Sequence, residues 1–441
     1  MQSVAYSDMI TAVHRVNRQT LLLGTQILVV ASVMLVTLSP FSAPVLVVGA
    51  FAVQTIWLQH DHGDLWAVLR AAVITRGWIA LAVFIGYLAL RLFPDVETDA
   101  LPGLVSMAAF TALTFGVFSL SERQNEDVQT AIAQAFLLGF GIAAALHLFE
   151  LLSGFALRRL LWTWVPLFRP RLGKIDVDGG SVRVLVPYIA NQSSALLAAL
   201  LWPVMLLGTL VARPRWQRLS IWLTVAMAVG AIGLSDQATS KMAVILGAAI
   251  WLAASLLPRA TRPLLIALWL ASTLLVLPAA LLAYRGEAYD APLSFSAKHR
   301  VVIWGVTAEK ALEHPIVGIG TGRTAALDES LSPMVKYAAG TTLPIATNRH
   351  AHNIFLQTWY ETGAIGAILL LLAGLPVIAW IAGAPPRTQP LLAAAFASAV
   401  MSASFSYSLL AAWFLATFAI TALFCRFAVT VASTHNSEPD A

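Results

Sequence analysis

The segment Arg349-His350-Ala351-His352-Asn353 places two imidazoles two residues apart at the polar edge of a long apolar run. A neutral imidazole has a reference pKa of about 6.5 and can take a proton from a hydroxyl group near neutral pH. A spacing of two turns the rings to opposite sides of a tight loop or a helix start, so one of them is expected to be the working base. Asn353 can cap the following helix and leave His352 at its positive end, which lowers the imidazole pKa and keeps the ring a base. Upstream, the stretch from Ser296 to Glu313 reads as a helix of about four turns, with Ser296 as N-cap and Pro315 and Gly318 ending it. Val301, Trp304, Ala308 and Leu312 share one face of that helix, which is expected to lie on a membrane surface. Arg300 stands one turn ahead of Trp304, where its guanidinium either snorkels or reaches an anionic group across the interface.

Other patterns of chemically capable residues read as structure. The glycines of Gly318-Ile319-Gly320-Thr321-Gly322 lack the Lys-Ser/Thr of a phosphate-binding loop and are expected to form a turn. His60-Asp61-His62-Gly63-Asp64 has metal-ligand residue types but reads as a solvated turn. Asp176 and Asp178 lie in an alternating stretch around Gly179-Gly180 that predicts a small hairpin, so they are assigned no metal. The single cysteine, Cys425, sits in the last apolar run and allows neither an internal disulfide nor a cysteine-based metal site. Trp162, Trp164 and Phe168 fit an interfacial aromatic belt before a surface for sugar or lipid, and Glu361 reads as an interfacial carboxylate before one that steadies His352. No metal and no cofactor is expected.

The elements that must position these residues are membrane spans. Of the 441 residues 59% are hydrophobic and only 11% charged, whereas a soluble domain carries roughly a quarter charged residues. About twenty consecutive apolar residues cross the hydrocarbon as a helix, which satisfies its own backbone where water cannot. Such runs predict an all-α integral membrane protein of about twelve transmembrane helices. They lie near Thr20–Leu38, Ala43–Leu58, Val73–Phe93, Leu101–Leu120, Ala131–Leu152, Ile189–Val211, Leu219–Leu234, Met242–Leu257, Pro263–Tyr284, Ala364–Ala382, Leu391–Leu409 and Ala411–Val431. Met1–Gln19 is polar and the run after it lacks a clear cleavage site, so the first span is expected to serve as its own signal. The expected organisation is one polytopic domain over 1–441, with outward loops at 153–188 and 285–352 and a disordered cytoplasmic tail at 432–441.

With the N-terminus inside, the short inner loops hold Arg15, Arg18, Arg70, Arg213, Arg215, Arg218, Arg259, Arg262 and Arg387, in keeping with the positive-inside rule. The outward loop Ser153–Tyr188 breaks that rule with Arg158, Arg159, Arg169, Arg171, Lys174 and Arg183. Either one span is miscounted or these cations serve an anionic ligand.

The order Arg300-x-x-x-Trp304, then His314-Pro-Ile-Val-Gly-Ile-Gly320, then His352-Asn-Ile-Phe-Leu-Gln-x-x-x-Glu361-x-Gly-x-x-Gly366 before a span resembles the O-antigen ligase and polymerase superfamily. The resemblance covers about residues 294–372. It implies a metal-independent glycosyltransferase in the bacterial inner membrane, with its active site facing the periplasm and a glycan on undecaprenyl diphosphate as donor. In that family the histidine of the His-Asn pair is the proposed base, here His352, and the arginine before the tryptophan helps hold the diphosphate, here Arg300. Arg183, ahead of Asn191, resembles an arginine that ligases carry before a Pro-Asn pair, although Asn191 follows no proline. Lys241 in Ala238-Thr-Ser-Lys241 stands where many members have Ser-Arg; lysine keeps the charge but loses the bidentate fork for phosphate oxygens.

A ligase would use lipid A core as acceptor, which is the first expectation; a polymerase would use a second lipid-linked repeat unit. The partners implied are these lipid-borne glycans and the bilayer, with no nucleic acid. A flippase or transporter for a lipid-linked glycan is the alternative from another class. It would carry ionisable residues near mid-span in several helices, whereas the spans here are nearly free of them and the cations crowd one face, with His147 and Glu150 near the end of the fifth span as minor exceptions.

Overall fold

In a computed structural model of the chain, the residues described are 18–39, 42–62, 76–92, 100–121, 124–165, 175–178, 181–185, 187–211, 214–288, 291–325, 335–336, 342–343, 350–405 and 407–435. Each apolar run predicted as a span is helical over most of its described residues. In chain order the helices are α1 Arg18–Leu38, α2 Ala43–His62, α3 Arg76–Leu92, α4 Ala100–Ser121, α5 Glu126–Leu152, α6 Ala156–Trp164, α7 Asn191–Val211, α8 Arg215–Leu234, α9 Ala238–Leu256, α10 Thr261–Leu274, α11 Val276–Arg285, α12 Phe295–Ala311, α13 Ile354–Ala382, α14 Gln389–Phe405 and α15 Ala412–His435. Among the described residues, seven helices (α1, α5, α7, α8, α9, α13 and α15) are long and apolar enough to cross a membrane singly, and the bent pair α10–α11 makes an eighth. Helices α2, α3, α4 and α14 hold shorter apolar segments. The protein is an all-α polytopic membrane protein; among the described residues seven or eight helices pass as spans by length and composition, which does not confirm the expected count of about twelve.

Three departures from the predicted spans have local causes. Pro263–Tyr284 was expected as one span but bends by 56° between α10 and α11. Pro278 has no N–H to give the Leu274 carbonyl and its ring crowds that carbonyl, so α10 ends there. The run Leu391–Leu409 leaves the helix after Phe405, which frees Tyr407 and Ser408 to enter a turn. Helix α15 runs on to His435, into the stretch read as a tail, and residues 436–441 lie outside those described.

The chain divides into two compact units. The first comprises Met1–Val73, Leu113–Ala249 and Thr417–Ala441. Within it α5 packs against α1, α7 and α8, and Phe136 stacks on Phe424 with ring centroids 3.6 Å apart. Arg18 pairs with Asp127 at 3.1 Å, so α1 and α5 start at the same end. The predicted hairpin is present as β1 Ile175–Asp178 and β2 Ser181–Leu185, antiparallel, with Asp178 opposite Ser181. It rests on α6, where Phe155, Trp162, Val182 and Ala190 form one buried cluster. Trp162 is therefore a core residue and only Trp164 remains exposed as an aromatic-belt side chain. Phe168 lies outside the described residues.

The second unit comprises Ile74–Ala112 and Ile250–Ala416. Helix α13 is its spine, flanked by α3, α10, α12 and α14. A two-residue hairpin of β3 Val335–Lys336 and β4 Thr342–Leu343 lies in the long loop before it.

Candidate functional site

Helix α12 is the first element of the site. Its N-cap is Ser294, whose side chain accepts the Ala297 N–H at 3.3 Å, not Ser296 as the sequence suggested. Its buried face is centred on Val302, Ile303, Ala308 and Ala311, while Leu312 is exposed. The expected surface helix is therefore packed within the protein, against α11 and α13. A Cβ at Gly305 would overlap the Tyr284 ring, so glycine lets α11 and α12 approach this closely.

The second element is the start of α13. Asn353 has extended backbone and its side chain accepts the Leu356 N–H at 3.0 Å, as the predicted cap should. Trp304 donates its indole N–H to the Ala351 carbonyl at 2.9 Å, tying α12 to the residue between the two histidines. Arg300, one turn earlier on α12, is thereby brought to the histidine turn.

The two histidines do not face opposite ways. His352 has φ +53, in the left-handed region that a residue with a Cβ enters at a cost of roughly 1–2 kcal/mol. That conformation folds the chain back, so the His350 and His352 rings meet edge to face with centroids 4.0 Å apart. The His352 N–H donates to His350 Nδ1 at 3.1 Å. A ring nitrogen that accepts carries no proton, so the neutral His350 ring is protonated on Nε2. Burial first, then the nearby His352 and the Arg300 charge, lower the His350 pKa to about 3. His350 is thus fixed as a neutral acceptor.

Arg300 is pulled below the usual arginine value by burial, with Tyr407 opposing the shift. Burial raises the Tyr407 phenol to about 12, and the Arg300 charge works against it. Tyr407 stands in the α14–α15 turn, its ring 4.6 Å from Trp413 and 5.3 Å from Phe414. Sequence reading missed Tyr407; its only signal was a small polar island, Ser404 to Ser408, between the last two apolar runs. Among the described residues no carboxylate forms an ion pair with Arg300. A half-buried cation in that state attracts an anionic group.

A third element braces the other two. Helix α13 breaks at Gly363, which has φ +65, and the break leaves backbone groups without helical partners. The segment Pro315–Gly322 supplies them. Ile319 and Gly320 N–H donate to the Tyr360 and Glu361 carbonyls at 3.1 and 2.8 Å, and Ala364 and Ile365 N–H donate to the Pro315 and Ile316 carbonyls at 2.8 and 3.2 Å. Cβ atoms at Gly318 or Gly363 would overlap the opposing backbone. Gly318, Gly320 and Gly322 all have positive φ. Their loop offers no nest for phosphate, because the N–H groups of Gly318 through Arg323 are already bonded within the protein. The sequence reading of this loop as a turn holds.

Glu361 is not an interfacial carboxylate. It is buried and accepts from the Gly322 N–H at 2.9 Å, the Thr324 hydroxyl at 2.6 Å and the Gln357 amide at 2.9 Å. Gln357 in turn donates to Ser408 Oγ at 3.2 Å and accepts the Leu409 N–H at 3.2 Å, so the same network holds the turn that carries Tyr407. Arg91, at the end of α3, donates to the Gly318 carbonyl at 3.1 Å and accepts the Thr321 N–H at 3.2 Å. The ends of α3 and α11, the start of α13 and the α14–α15 turn therefore gather at one end of this unit.

The remaining predicted cations lie in the other unit. Lys241 is in the first turn of α9 and half-buried, a position where the helix dipole disfavours a cation and favours an anion beside it. Ser235, Gln237, Thr239 and Ser240 form a buried polar rim around that turn. Arg183 is in β2, and its side chain is outside the described residues. Part of the basic excess in the 153–188 loop is structural. Arg158, in α6, is buried, meets Glu150 at 3.5 Å and donates to Ser193 Oγ at 2.9 Å, while Glu150 accepts the Leu157 N–H at 2.8 Å. His147 bonds Ser194 Oγ at 2.9 Å beside them. Arg158 is thus neutralised within the protein. Among the described residues no group of three His, Cys, Asp or Glu side chains could hold a metal ion.

Comparison with known proteins places part of the chain in a family. Residues 225–371 match the O-antigen ligase family. That stretch holds Lys241, Arg300, His350, His352 and Glu361 and leaves out Arg183. The chain is 25% identical over 329 residues to a Rickettsia conorii protein described as "putative polysaccharide ligase", covering 71% of this chain and 70% of that one. A Rickettsia felis protein of the same description is 29% identical over 192 residues, 42% of this chain and 44% of its own. The resemblance to the O-antigen ligase superfamily is borne out, and it supports a ligase-type function.

Proposed function

From the match to the O-antigen ligase family, we propose that the protein transfers an oligo- or polysaccharide from undecaprenyl diphosphate to an acceptor hydroxyl, lipid A core being the acceptor, on the periplasmic face of the inner membrane. The observation that carries this reading is the meeting of Arg300 with the His350–His352 turn at the capped start of α13.

His352 takes the proton from the acceptor hydroxyl. The freed oxygen attacks the anomeric carbon of the donor, the bond from that carbon to the diphosphate oxygen breaks, and undecaprenyl diphosphate leaves with the electron pair. Negative charge grows on the diphosphate as that bond breaks. A cation already in place and already desolvated stabilises it without reorganising, which is the largest contribution such a site can make. Arg300 has that role; Lys241 and Arg183, the other two cations expected from the sequence to hold the diphosphate, lie in the other unit. No step calls for a metal ion, because the leaving-group charge is met by side chains.

The test is transfer by the purified protein in liposomes, with an undecaprenyl diphosphate-linked glycan as donor and the two acceptors supplied separately. Glycan appearing on lipid A core is the expected result. A ladder of longer lipid-linked chains with no product on lipid A core would make the protein a polymerase. Movement of the donor across the bilayer without a new glycosidic bond would make it a transporter and end the proposal.

A further inference from the structure

We infer that His350 is a positioning residue: its Nδ1, by accepting the His352 backbone N–H, holds His352 in its left-handed conformation and so aims the His352 ring at the acceptor. This rests on the reading of His352 as the base.

The geometry has three parts. The His352 N–H reaches His350 Nδ1 at 3.1 Å, a side-chain-to-backbone bond spanning two residues. The residue between them, Ala351, is fully buried and its carbonyl is held by the Trp304 indole, so the turn is pinned at its middle as well as its ends. The following residue, Asn353, is fixed by its own capping bond to Leu356. His352 is thus the one residue of the turn with strained backbone, and the bond to His350 acts directly on its N–H. His350 can do this only while neutral, since a proton on Nδ1 would face the donor. Among the described residues, the charged or titratable groups that shift it are His352 beside it and Arg300 from α12, and with burial they keep it neutral far below the working pH.

An asparagine places its Oδ1 where the histidine has Nδ1 and bonds the N–H two residues on, as in an Asx-turn. His350→Asn therefore keeps the acceptor and removes the imidazole, whereas His350→Ala removes both. The experiment measures kcat, donor KM and the pH dependence of kcat/KM for both variants and for His352→Ala, in full-length protein in liposomes, together with thermal unfolding. The expected result is a kcat for His350→Ala lower by about tenfold to a hundredfold with donor KM little changed, as misaiming of a catalytic group produces. His350→Asn restores most of that loss and leaves the acidic limb of the profile where it is in the wild type. His350→Asn as inactive as His350→Ala, with His352→Ala inactive too, would overturn the positioning role and leave the base in place. An unchanged kcat in His350→Ala would overturn it as well, whatever happens to the melting temperature. Full activity in His352→Ala would instead remove the reading of His352 on which the inference rests.

Discussion

At the scale of single residues, the site depends on a cation that no carboxylate among the described residues neutralises. Arg158 shows the contrast: also buried, it is satisfied by Glu150 and Ser193. Arg300 is faced by Tyr407 and His350, and no carboxylate among the described residues pairs with it. If Arg300 holds the donor diphosphate, Arg300→Ala raises the donor KM by about tenfold or more, and Arg300→Lys, which keeps charge but not the fork, falls between it and the wild type. Steady-state transfer at saturating acceptor measures this, and wild-type values in Arg300→Ala would reduce the residue to a snorkelling side chain. His352 and Arg300 were legible in the sequence because a His-Asn pair before a span and an Arg one turn before a Trp are local patterns. The contact between the two imidazoles was not legible, because it arises from a positive φ at His352 that spacing does not encode. Tyr407 reaches the site through tertiary packing, so no local pattern pointed to it.

At the scale of elements, the site is a junction of α12, the broken helix α13 and the α14–α15 turn, with the Pro315–Thr324 segment wedged against the break. Glu361 is the shared anchor, and removing it orphans a backbone N–H, a hydroxyl and an amide in the protein interior. Each orphaned buried group costs about 1–3 kcal/mol. Glu361→Ala therefore lowers the melting temperature in detergent by several degrees and lowers transfer with it, and Glu361→Gln is also impaired because its amide would set a donor against the Gly322 N–H. A melting temperature equal to the wild type in Glu361→Ala would contradict this account of the junction. The helices themselves were legible from their apolar runs. Their breaks were less so: Pro278 announced the α10–α11 bend in principle, but it sits inside a run apolar enough to read as one span. Gly363 entered the sequence reading only as a glycine of the Glu361-x-Gly-x-x-Gly366 pattern, and the backbone bonds from Pro315–Gly320 show why a helix stops and restarts there.

At the scale of the whole molecule, the sequence predicted a helical membrane protein with its cations sorted by face, and the structure returns the helices. The excess of cations in the 153–188 loop was ambiguous in sequence between a miscounted span and ligand binding. The structure assigns one of them, Arg158, to neither, since an ion pair buried against Glu150 holds α6 to the ends of α5 and α7. Long-range pairing of that kind is invisible to a window that moves along the chain. The central claim remains that the capped, histidine-bearing start of α13 is where a hydroxyl is deprotonated for glycan transfer. Its most direct test is the rate of transfer from an undecaprenyl diphosphate-linked glycan by His352→Ala, reconstituted in liposomes beside the wild type at equal protein and with matched melting temperatures. Loss of the general base predicts a rate lower by about a hundredfold or more, and transfer at the wild-type rate would contradict the claim.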